Sequence, residues 1–299
     1  MELTELQISM VLGVCPAGSR IVSAEHFRRE FLPAPIRVTT RTPDGDARSF
    51  VVRLARHGSV EDEARLLGVL ASLGLPVPEV LDGPEVDREL SGHPQIALYS
   101  LLPGIDLQKL SERSTEDCQT AAKLVVDAAT TLAELTSKLR SEPAADHLST
   151  VGLTGELNRI VKDGGLWLQS EMFLDAVERL RPLLAEVLEE PVFTGGDNQA
   201  GNFLTDGTRV TGFVDFEMAG YRDFLLGFAK YPIYDLHPLN RAGMIEILLR
   251  KKGFSQRDLQ IRLALGCLAT LQREISPGGP DNAYRTHVVG LLTKALDSI

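Results

Sequence analysis

At 299 residues the chain can bury a sizeable core and divide into two lobes, and its composition, 43% hydrophobic and 24% charged, is that of an ordinary globular protein. A formal net charge of −10 argues against a binder of nucleic-acid backbones, which would carry a basic face; it suits a cationic small ligand, or simply solubility. The cysteines, Cys15, Cys118 and Cys267, are scattered and form no Cys-x-x-Cys pair, so they read as reduced thiols of a cytoplasmic protein, and no apolar run is long enough to span a bilayer.

The apolar stretch at residues 8–18 follows Glu2 and Glu5, where a secretory signal would be positive, so it reads as an amphipathic first helix. Residues 36–56 read as two β-branched strands around Pro43-Asp44-Gly45. A helix follows over 59–74, capped by Ser59 with Asp62 at the capping-box position and closed by Gly74. "LPVPEVL" and "PQIALYSLLPG" supply two short extended runs. Beyond Gly104 the pattern is mostly helical: 115–140 as one long helix behind Ser114, then 171–190, 241–252, 256–272 behind Ser255, and 281–297. "SEPAADHLST" and "SPGGPDN" read as loops. The one β-element expected in this half is a hairpin over 201–217, turning at Asp206-Gly207.

That hairpin carries the chemistry. Centring the turn on Asp206-Gly207 sets Asp215 opposite Asn198, beside Asp197, and Asn202 at the hairpin mouth can bend toward the same point. Two carboxylates and a carboxamide, with no His or Cys, suit a hard cation such as Mg²⁺. Any one of them alone would be an ordinary loop-capping residue. Asp-x₄-Asn, a hairpin and a strand-terminal Asp together have the layout of a kinase catalytic loop and metal aspartate. Independently, Glu63 falls between Leu67 and Leu70 on the apolar stripe of its helix. A carboxylate there needs a partner, and Arg53 in the preceding strand is the candidate; the alternative is a boundary glutamate reaching water.

"GGDNQAGNFLTDGTRVTGFVDFEMAG" resembles the His-Gly-Asp-x₄-Asn, hairpin, Asp-(Phe/Trp)-x-(Asp/Glu) signature of the aminoglycoside phosphotransferase family, within the protein-kinase-like small-molecule kinases. "FVVRLAR", "EARLLGVLASLGLPVPEVL" and "ALYSLLPG" are similar to that family's phosphate-binding strand, its αC helix and its hinge, in the right order over roughly residues 36–230. The resemblance implies an α+β, bilobal protein-kinase-like fold, a small β-rich N-lobe (1–99) hinged to a larger helical C-lobe (100–299). It implies that Asp197 is the catalytic base toward the acceptor hydroxyl and that Asn202 and Asp215 hold Mg²⁺. Arg53 would touch the phosphates with Glu63 orienting it, and Ser100 and Leu102 would offer backbone groups to the purine of ATP or GTP. Glu217 would lie near the metal or the acceptor, and Asp223 would be structural.

The sequence departs from the family pattern at four places. Gly195 stands where the family has a loop-bracing His, and Arg53 stands for the phosphate lysine. "EHFRREFLPAPIRV" lacks the glycines of a phosphate-covering loop, and Gly227 replaces a second Asp. The reading is a cytoplasmic small-molecule O-kinase with a purine nucleotide and a small-molecule acceptor as partners, and neither nucleic acid nor membrane. An antibiotic or related natural product is the first choice of acceptor, with Glu217, Asp235 and Glu274 as candidate carboxylates for a polycation. The alternatives are a kinase of a primary metabolite such as choline or homoserine, and a pseudokinase nucleotide-binding module.

Overall fold

The computed structural model describes residues 2–27, 34–56, 58–189, 191–196, 198–235, 238–275 and 283–299. The chain forms two compact units. One joins Met1–Asp106, Ser137–His147 and Asn202–Ala219; the other joins Leu107–Thr136, Leu148–Gly201 and Gly220–Ile299.

The first unit opens with α1 (Glu5–Gly13), started by a reciprocal capping box between Thr4 and Gln7. There follow β1 (Arg20–His26), β2 (Ile36–Arg41), β3 (Ala47–Leu54), α2 (Val60–Ser72), β4 (Val80–Val86), β5 (Gln95–Ser100) and the short β6 (Ile105–Asp106). The first five strands make one antiparallel sheet in the order β1-β2-β3-β5-β4. Ile36 and Val38 of β2, Phe50, Val52 and Leu54 of β3, and Ile96 and Leu98 of β5 form a core with Met10 and Val11 of α1. That burial is what fixes the register of the central strands. Sequence reasoning missed β1, because "RIVSAEH" is an edge strand, exposed or half-buried throughout, with no clean alternation. α2 starts as expected, Ser59 accepting from the Asp62 backbone N–H, and buries Glu63 with Leu66, Leu67 and Leu70.

Past β6 come α3 (Leu107–Ser111), α4 (Thr115–Glu134), the single turn α5 (Thr136–Leu139), β7 (Thr150–Val151), α6 (Leu153–Lys162), α7 (Glu171–Glu186) and β8 (Val192–Thr194). The one long helix expected over 115–140 is broken at Leu135. Thr136 is responsible: its hydroxyl donates to the Ala133 carbonyl and accepts from the Phe193 backbone N–H, so it competes with the helical ladder and ties β8 to the helix end.

The hairpin β9 (Phe203–Thr205) and β10 (Val210–Phe213) belongs to the first unit, where β9 also pairs with β6. Its register corrects the sequence expectation. The connection is a four-residue loop rather than a two-residue turn, and a bulge follows Val210. Leu204 therefore opposes Gly212 and Phe203 opposes Phe213. Asp206 causes the wider loop, because its Oδ1 accepts from the backbone N–H groups of Thr208 and Arg209 and from the Thr208 hydroxyl. Asp215 thus does not stand opposite Asn198.

β11 (Gly220–Arg222), α8 (Leu226–Ile233), α9 (Met244–Lys252), α10 (Gln256–Glu274) and α11 (Ala283–Asp297) complete the chain. β11 lies between β7 and β8 in a small sheet, so the hairpin is not the only β-element of this half. The core of the second unit gathers Leu157 and Ile160 of α6, Phe173 and Leu180 of α7, Ala264, Leu265 and Leu268 of α10, and Leu292 of α11. Among the described residues no helix is long and apolar enough to cross a membrane. The expected loop over 276–282 and the segment 28–33 lie outside the described residues.

Candidate functional site

The first unit builds a buried cluster of charge around Arg53. β3 presents the side chain, and α2, the next element, presents Glu63: Arg53 Nε donates to Glu63 Oε2 at 3.2 Å. Arg53 Nη2 donates to Asp215 Oδ1 at 2.6 Å and to Glu217 Oε2 at 2.9 Å. Three carboxylates therefore share one guanidinium. Burial alone would lower the guanidinium's pKa, but Glu63, Asp215 and Glu217 together raise it, so Arg53 stays charged.

Each carboxylate is fixed by further bonds. Glu63 Oε1 accepts from the Phe216 backbone N–H at 2.9 Å, and its Oε2 accepts from the Tyr99 hydroxyl at 3.3 Å. Burial pushes the Glu63 carboxyl up, against the pull of Arg53. Glu217 Oε1 accepts from the backbone N–H groups of Arg56 and Gly58, both at 2.6 Å. Gly58 has to be glycine: a Cβ there would come within 2.6 Å of the Glu217 carbonyl oxygen. The Tyr99 hydroxyl and these two backbone donors were not visible in the sequence as parts of a site. β5 pairing could have flagged Tyr99, since its partner in β3 is two residues from Arg53.

Asp215 has a left-handed backbone, φ 68°, which turns it out of β10. Its side chain is 47% exposed, and its second carboxylate oxygen has no partner among the described residues. The Val214 backbone N–H donates to the Asn202 carbonyl at 3.0 Å, which brings residue 202 within one position of Asp215. The half-exposed carboxylate oxygen of Asp215 is the kind of hard oxygen donor that a magnesium ion takes.

At the end of β5, Ser100 is tied to Glu79 twice: its N–H donates to the Glu79 carbonyl and its hydroxyl accepts from the Glu79 N–H, each at 2.9 Å. Leu102, two residues on, makes no backbone hydrogen bond among the described residues.

The second unit contains the other named residues. Asp197 lies outside the described residues. Asn198, which follows it, is 2% exposed. Asp223 Oδ1 accepts from the Leu226 N–H, capping α8, and both its oxygens accept from Arg262 of α10, at 3.0 and 2.8 Å. Glu274 accepts from the hydroxyls of Tyr234 and Tyr284, whose rings stack at 6.1 Å. Asp235, next in the chain, has φ 46° and accepts from Asn240 Nδ2 at 3.4 Å.

The strand arginine paired to a helix glutamate, beside a hairpin aspartate, repeats the order of the sequence motifs, and residues 37–254 match the phosphotransferase enzyme family. The chain belongs to that family. It is an enzyme, a small-molecule phosphotransferase with an alcohol group as acceptor. No curated relative matches the sequence. Among solved structures, an apo thermostable mutant of aminoglycoside phosphotransferase APH(4)-Ia is 15% identical, with 99% of each chain covered and a TM-score of 0.71. The GDP and kanamycin complex of APH(2")-IIIa is 15% identical over 99% of each chain, with a TM-score of 0.63. Choline kinase LicA from Streptococcus pneumoniae is 14% identical, covering 99% of this chain and 98% of that one, with a TM-score of 0.60. These likenesses show the fold of this phosphotransferase, the α+β protein-kinase-like fold.

Proposed function

We propose that this phosphotransferase moves the γ-phosphate of ATP or GTP to a hydroxyl of an aminoglycoside or another antibiotic or natural product, with Mg²⁺, in the cytoplasm. The observation that carries the nucleotide half is the Arg53–Glu63 pair: a cation held on a strand by a helix glutamate is the arrangement that kinase-like folds use toward the α- and β-phosphates. Glu63 fixes the direction of the fork, and Arg53 offers a planar, permanently charged group where a lysine would offer a point charge. The free backbone groups of Leu102 suit the edge of a purine, while the N–H of Ser100 is taken by Glu79.

Asp215 and Asn202 would hold Mg²⁺, which when bound neutralises the charge of the phosphates. Asp197 would accept the proton of the acceptor hydroxyl; this assignment rests on the Asp-x₄-Asn spacing to Asn202. The acceptor class rests on likeness: a related APH(4)-Ia variant forms a ternary complex with ADP and hygromycin B. The net charge of −10 and the Tyr234–Glu274–Tyr284 cluster favour a cationic acceptor. One observation favours a second reading, a nucleotide-binding module without turnover: Arg53 and Asp215, the groups that should serve phosphate and metal, are bonded to each other.

The test is a thermal-shift series with ATP and GTP, with and without Mg²⁺, followed by mass spectrometry for added phosphate on aminoglycosides and other natural products. A metal-dependent shift with phosphate on an acceptor supports the first reading. A shift without transfer to any acceptor supports the second, and no shift with either nucleotide removes both.

A further inference from the structure

The family's His before the catalytic aspartate is Gly195 here, so the loop from Asp197 to Asn202 needs another brace. α8 supplies one. Tyr231 is fully buried, and its hydroxyl donates to the Asn198 carbonyl at 2.8 Å. The phenol oxygen thus clips the loop backbone at Asn198. One turn earlier on the same helix, Gly227 opens a slot for the Asn198 side chain: a Cβ at Gly227 would lie 2.6 Å from Asn198 Nδ2. That Nδ2 is buried and has no hydrogen-bond partner among the described residues, so the slot's shape, not a bond to this nitrogen, seats the amide.

α8 is itself held at both ends. Asp223, locked by the fully buried Arg262, caps its start, and near its end Ile233 packs against Gly266 of α10, where a Cβ would lie 2.9 Å from Ile233 Cδ1. Tyr231 stacks on Phe228, with ring centroids 6.1 Å apart, which fixes the ring that carries the hydroxyl. The path from Arg262 to Asn198 therefore runs through bonded or closely packed groups within one unit.

We propose that Tyr231, with Gly227 as the slot for Asn198, is the positioning element of the catalytic loop in this enzyme, taking over what the missing His would do. Asn198 directly follows Asp197 in the chain, so the bond to the Asn198 carbonyl acts one residue from the aspartate. The departures at Gly195 and Gly227 then belong together: one removes a brace and the other admits its replacement. The inference rests on the reading of Asp197 as the base.

The experiment compares Tyr231→Phe, Gly227→Ala and Asp197→Asn in the full-length enzyme, with an acceptor found by the phosphate screen. Tyr231→Phe keeps the buried ring and loses only the clip. It is expected to lower kcat by about ten-fold or more, as misplaced reacting groups do, with the nucleotide Kd unchanged. In an Asp197→Asn background the same substitution should lower kcat by less than about two-fold, because the two residues act as one unit. Gly227→Ala should also lower kcat, and adding Asn198→Ala should restore part of it by emptying the slot. Wild-type kcat in folded Tyr231→Phe, or an equal loss in the Asp197→Asn background, overturns the brace. If Asp197→Asn alone turns over at the wild-type rate, the base assignment falls first; if it is impaired while Tyr231→Phe is not, only the brace falls.

Discussion

Arg53 Nη2 donates to Asp215 Oδ1 at 2.6 Å, linking two residues 162 positions apart in the chain. The same guanidinium also holds Glu63 and Glu217, so a change at any corner alters the charge balance of the other three. Glu63→Ala would leave the guanidinium buried with one partner fewer, and Arg53→Ala would leave three carboxylates together. Breaking a buried pair in this way costs about 3–5 kcal/mol. The double variant should cost less than the sum of the singles by about 0.5–3 kcal/mol. Urea unfolding of the four proteins measures the cycle, and strict additivity would show that the two side chains are not coupled.

Two glycines close in sequence should respond with opposite signs. At Gly58 a Cβ meets the Glu217 carbonyl oxygen at 2.6 Å and Glu217 Cγ at 3.0 Å, so Gly58→Ala must displace backbone; overpacking of this kind costs about 1–3 kcal/mol. Gly68 lies inside α2, exposed, with nothing within 4 Å of its added Cβ. Gly68→Ala should stabilise the protein by about 0.5–1 kcal/mol through helix propensity. Melting temperatures that moved in the same direction for both would contradict the packing described for Glu217.

The elements that sequence made legible are those with a strong local signal. Ser59, Ser114 and Ser255 start their helices as expected, because capping is a contact within four residues. The pairing of Glu63 with Arg53 was legible because a carboxylate on an apolar stripe demands a partner and the preceding strand held one. The hairpin register was not: Asp206 gathers three donors and widens the loop, a side-chain effect that an Asp-Gly dipeptide does not reveal. The small strands β7, β8 and β11 were missed because two or three residues carry no periodicity, and they are defined only by one another. Tyr231 was invisible for the same reason: its meaning lies in a backbone carbonyl 33 positions away.

Lys230 provides a pH prediction. Burial pushes its ammonium down to about 7 from the ordinary 10.5. Between those values the unfolded chain holds a proton that the folded protein has released, so the unfolded state binds more protons and stability rises with pH. The gain should approach about 1.4 kcal/mol per pH unit within that window, on top of the contribution of other groups. Lys230→Met removes the titration, and its unfolding free energy should be flatter than wild type from pH 7 to 10. Parallel wild-type and Lys230→Met profiles would mean that the lysine keeps its proton in the folded state.

The last prediction concerns the acceptor. Of the three carboxylates proposed for a polycation, Glu217 has a side chain only 4% exposed and is engaged by Arg53, Arg56 and Gly58. Glu274 is different, because it sits with the partly exposed Tyr234, and both tyrosine hydroxyls donate to it. A carboxylate beside stacked aromatic rings suits an ammonium-bearing ligand, which gains from the charge and from the ring faces. Attraction between exposed charges is screened over roughly 8–10 Å at ordinary salt, so the acceptor KM should climb as NaCl is raised while the nucleotide KM changes less. Glu274→Gln should raise the acceptor KM at low salt and flatten its salt dependence, leaving kcat close to wild type, since uniform binding is what it removes. A neutral acceptor would give a flat KM in wild type and no effect of the Glu274→Gln change on the slope. That outcome would end the polycation proposal and leave the phosphotransferase assignment in place.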